Sequence, residues 1–241
     1  MYNTDKMIKE LRQELKENVD PKYKEASDIY HKNPVKNLGV RTPIVRKIGK
    51  KYFKRIRHLG KNKVFSLCEK LFNSGTREEK TVAVQWASEF REEFKESDFK
   101  LFESWCNKYI TNWGICDDYC LGLLSHFIVK YPKNKDKVKS WSKSSNTWKR
   151  RASAVAFIQG GSWKIHSLFL KDVFDVAVAL MKDKEDLVQK GYGWMLKVAT
   201  DSHQKEVFDF VMKNKKEMTR TALCYAIEKM PPNLRKKAME K

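Results

Sequence analysis

Apolar residues recur three and four positions apart along most of this chain. Ile8, Leu11 and Leu15 form one stripe, Val64, Leu67, Cys68 and Leu71 a second, and Phe169, Val173, Val176 and Leu180 a third. A helix of 3.6 residues per turn places such positions on one face. Alternating β-branched runs, the mark of strands, are scarce. Thr42-Pro43, Ser97-Asp98 and Ser145-Asn146 read as helix starts, with a capping side chain or a proline in the first turn. Tyr131-Pro132, Gly160-Gly161 and Pro231-Pro232 close or separate helices. The pattern predicts an all-α chain of about fourteen helices, each of roughly 10 to 18 residues, and no strands.

Four of the predicted helices begin alike. Residues 79–84, 150–155, 189–194 and 219–224 each place a basic residue before small and then apolar ones. The basic positions, Lys80, Arg151, Lys190 and Arg220, stand 71, 39 and 30 residues apart, and the first interval is about two helix-pair periods of the HEAT type. The unit missing from that interval falls near residues 113–120, which puts Asn112 through Asp117 at the level of the basic positions. The expected architecture is a HEAT-like helical-repeat solenoid, an α-α superhelix spanning residues 1–241 as one domain. Small residues would let neighbouring helices approach, and one helix of each pair would line a basic concave face.

Composition sharpens the question of partners. The 241 residues hold 50 Lys+Arg against 30 Asp+Glu, a formal net charge of +20. That excess points to a polyanionic partner, and 41% hydrophobic with 12% aromatic residues is enough to bury a core, which excludes a disordered chain. Cys68, Cys106, Cys116, Cys120 and Cys224 are odd in number and follow no disulfide or zinc spacing, which fits a cytoplasmic protein; Cys116 and Cys120, four apart, read as buried small apolar residues. His31, His58, His126, His166 and His203 show no metal-ligand spacing either, and no metal or other cofactor is expected. No segment has the apolar length of a signal peptide or a membrane span. A soluble cytoplasmic monomer is expected.

Two groups of residues could carry chemistry. Lys190, Trp194 and Lys197 lie at i, i+4 and i+7, two cations flanking an indole on one helix face, and Arg150-Arg151 stands out in a chain richer in lysine. Cations grip phosphates, and an aromatic between them meets sugar or base. Trp113 and Asp117 are also i and i+4, so an indole and a carboxylate share a face one turn apart, while Asp118 is turned by about 100° from it. A carboxylate on a basic groove repels phosphate. Asp117 is therefore either a helix-start charge that complements the dipole or a group that stabilises a developing cation, as in cleavage of a glycosidic bond through an oxocarbenium-like state. A leaving group that is already cationic, such as an N-alkylated purine, would need no general acid.

At these residues the sequence resembles the AlkD family of DNA alkylation-repair glycosylases, which are HEAT-like solenoids. The matching stretches are Tyr30 through Leu38-Gly39-Val40-Arg41-Thr42-Pro43, Trp113-Gly114-Ile115-Cys116-Asp117, Asn146-Thr147-Trp148-Lys149-Arg150-Arg151-Ala152, and Gly193-Trp194-Met195-Leu196-Lys197. The resemblance implies a monofunctional enzyme that hydrolyses the N-glycosidic bond of N3- and N7-alkylated purines, such as 3-methyladenine and 7-methylguanine, in double-stranded DNA. It implies no cofactor and no flipping of the base. On it, Asp117 is the catalytic aspartate, Trp113 and Trp194 hold the lesion's deoxyribose, and Tyr30 completes that aromatic cleft. Arg151 grips the backbone beside the lesion; Thr42, Arg46, Lys190 and Lys197 are further DNA-binding candidates. Gly114 and Cys116 depart from the bulkier or more polar residues common in the family. The competing expectation is a non-catalytic helical-repeat module that binds nucleic acid or an acidic protein.

Overall fold

The computed structural model describes residues 3–30 and 35–240, with Tyr30 described by its backbone alone. The chain folds as an all-α helical repeat, organised in two compact units. One comprises Met1–Lys95 with Lys108–Asp118, the other Glu96–Asn107 with Tyr119–Lys241.

The first unit is built from α1 (Thr4–Glu17), α2 (Pro21–Tyr30), α3 (Thr42–Ile56), α4 (Lys61–Ser74), α5 (Arg77–Ser88) and most of α7 (Trp113–Tyr119). The stripes read from the sequence are its core: Leu11, Leu15, Val64, Cys68 and Leu71 are fully buried, as are Val82, Ala83 and Trp86 of α5. Each such side chain contributes about 1.5–3 kcal/mol on leaving water. Helix α3 lies close against α5 at Gly49, where an added Cβ would fall 2.3 Å from the Gln85 side-chain oxygen. The Trp86 indole N–H donates to the Gly49 carbonyl at 2.8 Å, and the Gln85 amide donates to the Arg46 carbonyl at 3.1 Å. These contacts fix α3, and Arg46 on it, against α5.

The second unit holds α6 (Asp98–Tyr109), a π-helical turn (Cys120–Leu124), α8 (Ser125–Lys130), α9 (Lys135–Ser140), α10 (Thr147–Val155), α11 (Leu170–Leu180), α12 (Asp186–Asn214), α13 (Arg220–Ile227) and α14 (Pro232–Met239). Phe99, Phe102, Phe127 and Trp141 pack as an aromatic core, with Phe102 edge-on to Phe127 at 5.6 Å and Phe99 stacked on Trp141 at 5.9 Å. Asn146 caps α10 as its sequence suggests, its side chain accepting from the Trp148 N–H at 2.8 Å and the Lys149 N–H at 3.4 Å.

Three details differ from the sequence expectation. Strands do occur: β1 (Ile158–Gln159) and β2 (Lys164–Ile165) form a small antiparallel hairpin, Ile158 opposite Ile165 and Gln159 opposite Lys164. Gly160-Gly161 opens its loop rather than merely separating helices, because Gly161 takes φ +87°, a conformation that costs glycine little. Helix lengths range more widely than 10 to 18 residues; α12 runs 29 residues through a break at His203, and α8 has only six. Finally, Thr42 is the first residue of α3, not its cap. Arg41 occupies the cap position in extended conformation and makes no side-chain capping bond.

Candidate functional site

In the first unit, the stretch Leu38 to Pro43 is held from below by α5. The buried Glu78 carboxylate accepts from three successive backbone N–H groups, Leu38 at 3.0 Å and Gly39 and Val40 at 3.2 Å each. Gly39 is required here twice over, by φ +90° and by the approach of α2, where a Cβ would fall 2.5 Å from the Lys24 Cβ. Arg77, next to Glu78, donates to the Val40 carbonyl at 2.8 Å and to the Thr42 hydroxyl at 3.4 Å. Thr42 and Arg46 are thereby carried on a helix whose entry is fixed by buried charge.

Helix α7 starts where the Asn112 side chain accepts from the Ile115 N–H at 3.0 Å. Lys80 sets the chain just before it, donating to the Tyr109 carbonyl at 2.8 Å and the Thr111 hydroxyl at 3.0 Å. Burial lowers the pKa of this lysine. Ile115 and Cys116 face inward, while Trp113 and Asp117, one turn apart, are both half-buried. The neighbouring Asp118 pairs with Arg46, Nη2 to Oδ1 at 2.8 Å. Burial raises the Asp118 pKa, Arg46 opposes the rise, and the charge of Asp117 adds to it, while Arg77 pulls the other way. Arg46, Asp117 and Arg77 thus all act on the Asp118 carboxylate. Gly114 leaves space on this helix, since a Cβ there would meet only the Asn112 side-chain oxygen, at 3.4 Å.

In the second unit, Arg151 is buried, and its Nη1 donates to the carbonyl of Leu187 in the first turn of α12. Its side chain lies across Gly191, where a Cβ would sit 3.3 Å from the Arg151 Cγ. Lys80 and Arg151, two of the recurring basic positions, therefore share a structural role: each is buried and ties the entry of a later helix by its carbonyl. This differs from an open row of cations. Lys190 pairs with Asp186 at 2.7 Å and Lys197 with Glu228 at 2.6 Å. Trp194 is half-buried on α12, and Gly193 beside it admits α13, a Cβ there falling 2.8 Å from the Tyr225 Cβ. The Tyr30 side chain, expected in the aromatic cleft, lies outside what the structure describes.

A family model for "DNA alkylation repair enzyme" matches residues 11–230. The chain belongs to that family. Among solved structures, one described as a "Predicted DNA alkylation repair enzyme from Enterococcus faecalis" superposes with a TM-score of 0.76 over 89% of this chain and 98% of its own, at 16% identity. At that identity the likeness is one of fold. No curated protein matches the sequence.

For a DNA alkylation repair enzyme, sequence reasoning missed three residues of consequence. Arg77 and Glu78 organise the Leu38–Val40 stretch and the start of α3, and the signal was present as a charge pair at the start of a helix. Trp163 packs on Trp194 with ring centroids 5.4 Å apart and planes at 47°; its place just after Gly160-Gly161 was the clue. Cys116 and Cys120 are buried as expected, as are Cys68 and Cys106, while Cys224 is exposed. Among the described residues, no three His, Cys, Asp or Glu side chains gather as a metal site, and no helix is long and apolar enough to cross a membrane.

Proposed function

We propose that this DNA alkylation repair enzyme is a monofunctional glycosylase that releases positively charged N3- and N7-alkylated purines, such as 3-methyladenine and 7-methylguanine, from duplex DNA. The observation that carries the reading is the half-buried Asp117 one turn from Trp113 on α7, in a protein of net charge +20. A module that only bound phosphate would gain nothing from this carboxylate.

In the reaction, the C1′–N bond breaks and its electron pair neutralises the cationic purine, which leaves without needing a proton. Positive charge develops on the deoxyribose. Asp117 stabilises that charge, orients the attacking water and accepts its proton. Trp113 and Trp194 each present an indole face to the sugar, worth about 1–2 kcal/mol apiece as cation–π contacts. The base stays stacked, no cofactor takes part, and an abasic site is the product. Arg151, Thr42, Arg46, Lys190 and Lys197 supply positive or polar contacts to the backbone, with Arg46, Lys190 and Lys197 exchanging acidic partners for phosphates. The chain acts as a single domain and as a cytoplasmic monomer.

The test is incubation of the purified protein with a duplex carrying a single 7-methylguanine. Free 7-methylguanine and an alkali-labile site in stoichiometric amounts support the proposal. Binding of the duplex without release of the base would favour a non-catalytic module.

A further inference from the structure

Trp163 is the largest of the exposed apolar side chains among the described residues, with 52% of its surface open. It is also the one non-glycine residue among them at positive φ, +52°. Each property costs free energy. A bulky residue in the left-handed region is disfavoured by roughly 1 kcal/mol or more, and an indole left in water forgoes what its burial would contribute. Asparagine or glycine would fit this backbone better.

The surrounding hairpin is firmly seated, so the tryptophan is presented by a fixed frame. Ile158 and Ile165 are buried, and the Trp163 N–H donates to the Gln159 carbonyl at 3.0 Å. Gly160 lies so close to the π-helical turn that a Cβ would fall 2.0 Å from the Leu121 carbonyl oxygen. One part of the indole rests on Trp194 and the rest faces solvent. Tilted at 47°, the two rings make an open angle rather than a closed stack. Lys164, the next residue along, is exposed and adds a cation to the hairpin.

We propose that Trp163 is a further DNA-contacting residue, forming with Trp194 a two-indole platform against which a deoxyribose of the bound duplex packs. The inference rests on the glycosylase reading for its substrate, since it extends the surface assigned to Trp194. Its occupant is duplex DNA because the exposed face is aromatic and sits on a hairpin with an exposed lysine, in a strongly basic member of a DNA-repair family.

The experiment compares wild type, Trp163→Ala, Trp163→Asn and Trp163→Phe by fluorescence anisotropy with a labelled duplex carrying 7-methylguanine, alongside thermal melting of each variant. Trp163→Asn suits the positive φ and guards against a folding defect. Ala and Asn are expected to weaken binding about tenfold with melting temperature unchanged or raised, and Phe to keep most of the affinity. Ala and Asn variants that bind within twofold of wild type would overturn the proposal. The readout is separable from catalysis. A wild type that binds through Trp163 yet releases no methylpurine would sink the enzyme reading alone, and one that releases methylpurine without needing Trp163 would sink this inference alone.

Discussion

Arg46 on α3 and Asp118 on α7 form an ion pair of 2.8 Å beside the candidate catalytic Asp117. Asp118 is one-quarter exposed and Arg46 more than half exposed, so the pair sits at the edge of the solvent. It couples the nearest phosphate-binding candidate to the helix that carries the proposed chemistry.

The pair predicts competition. If Arg46 contacts DNA, it must give up Asp118 to do so, and an exposed pair of this kind is worth about 0.2–1 kcal/mol. Asp118→Asn should therefore tighten duplex binding by up to about fivefold at low salt, and Arg46→Ala should cancel the gain. Titration of both variants with labelled duplex checks this. Equal affinities for Asp118→Asn and wild type would place Arg46 away from the DNA.

The same aspartate predicts a pH dependence of stability. Burial raises its folded-state pKa above the ordinary carboxylate value despite Arg46. A raised carboxylate binds its proton more readily in the folded state, so its charged form costs stability, and that cost appears as pH rises from the ordinary carboxylate range through the raised value. Asp118→Asn should melt higher than wild type at neutral pH, with the difference vanishing in acid. A variant less stable at neutral pH would mean that Arg46 outweighs burial.

Arg151 is expected to show two separable effects. Its buried hydrogen bond to the Leu187 carbonyl should make Arg151→Met less stable by about 1.5–3 kcal/mol in denaturant unfolding. If it also grips a phosphate, the slope of log affinity against log salt should fall by about 0.9. An unchanged slope in the folded variant would leave Arg151 a structural tie only.

Close approach at Gly193 predicts a purely structural cost. A methyl group there would stand 2.8 Å from the Tyr225 Cβ and 3.0 Å from the Ala222 carbonyl oxygen. Gly193→Ala should destabilise the fold by about 1–3 kcal/mol, measured by thermal or urea unfolding. A neutral result would show that α13 can shift to admit it.

Periodicity made the helices legible because each must bury one stripe, and the buried Val64, Leu67, Cys68 and Leu71 are that stripe in α4. The hairpin was not legible, since two strands of two residues carry no periodic signal. Trp113 and Asp117 could be placed on one helix face by spacing alone. What spacing could not supply was the partner of each charge. Lys80 and Arg151 read as groove cations in the sequence, yet both spend a hydrogen bond on a backbone carbonyl distant in sequence. Arg46 likewise meets Asp118, 72 positions away in the chain.

The central claim is that the Asp117 carboxylate drives glycosidic hydrolysis, and it is tested most directly by single-turnover release of 7-methylguanine from duplex DNA by wild type and Asp117→Asn. The substitution keeps size and removes charge, so it should nearly abolish release while duplex affinity is kept or slightly improved. Asp117→Asn that releases the base at the wild-type rate, or wild type that releases none, would contradict the account.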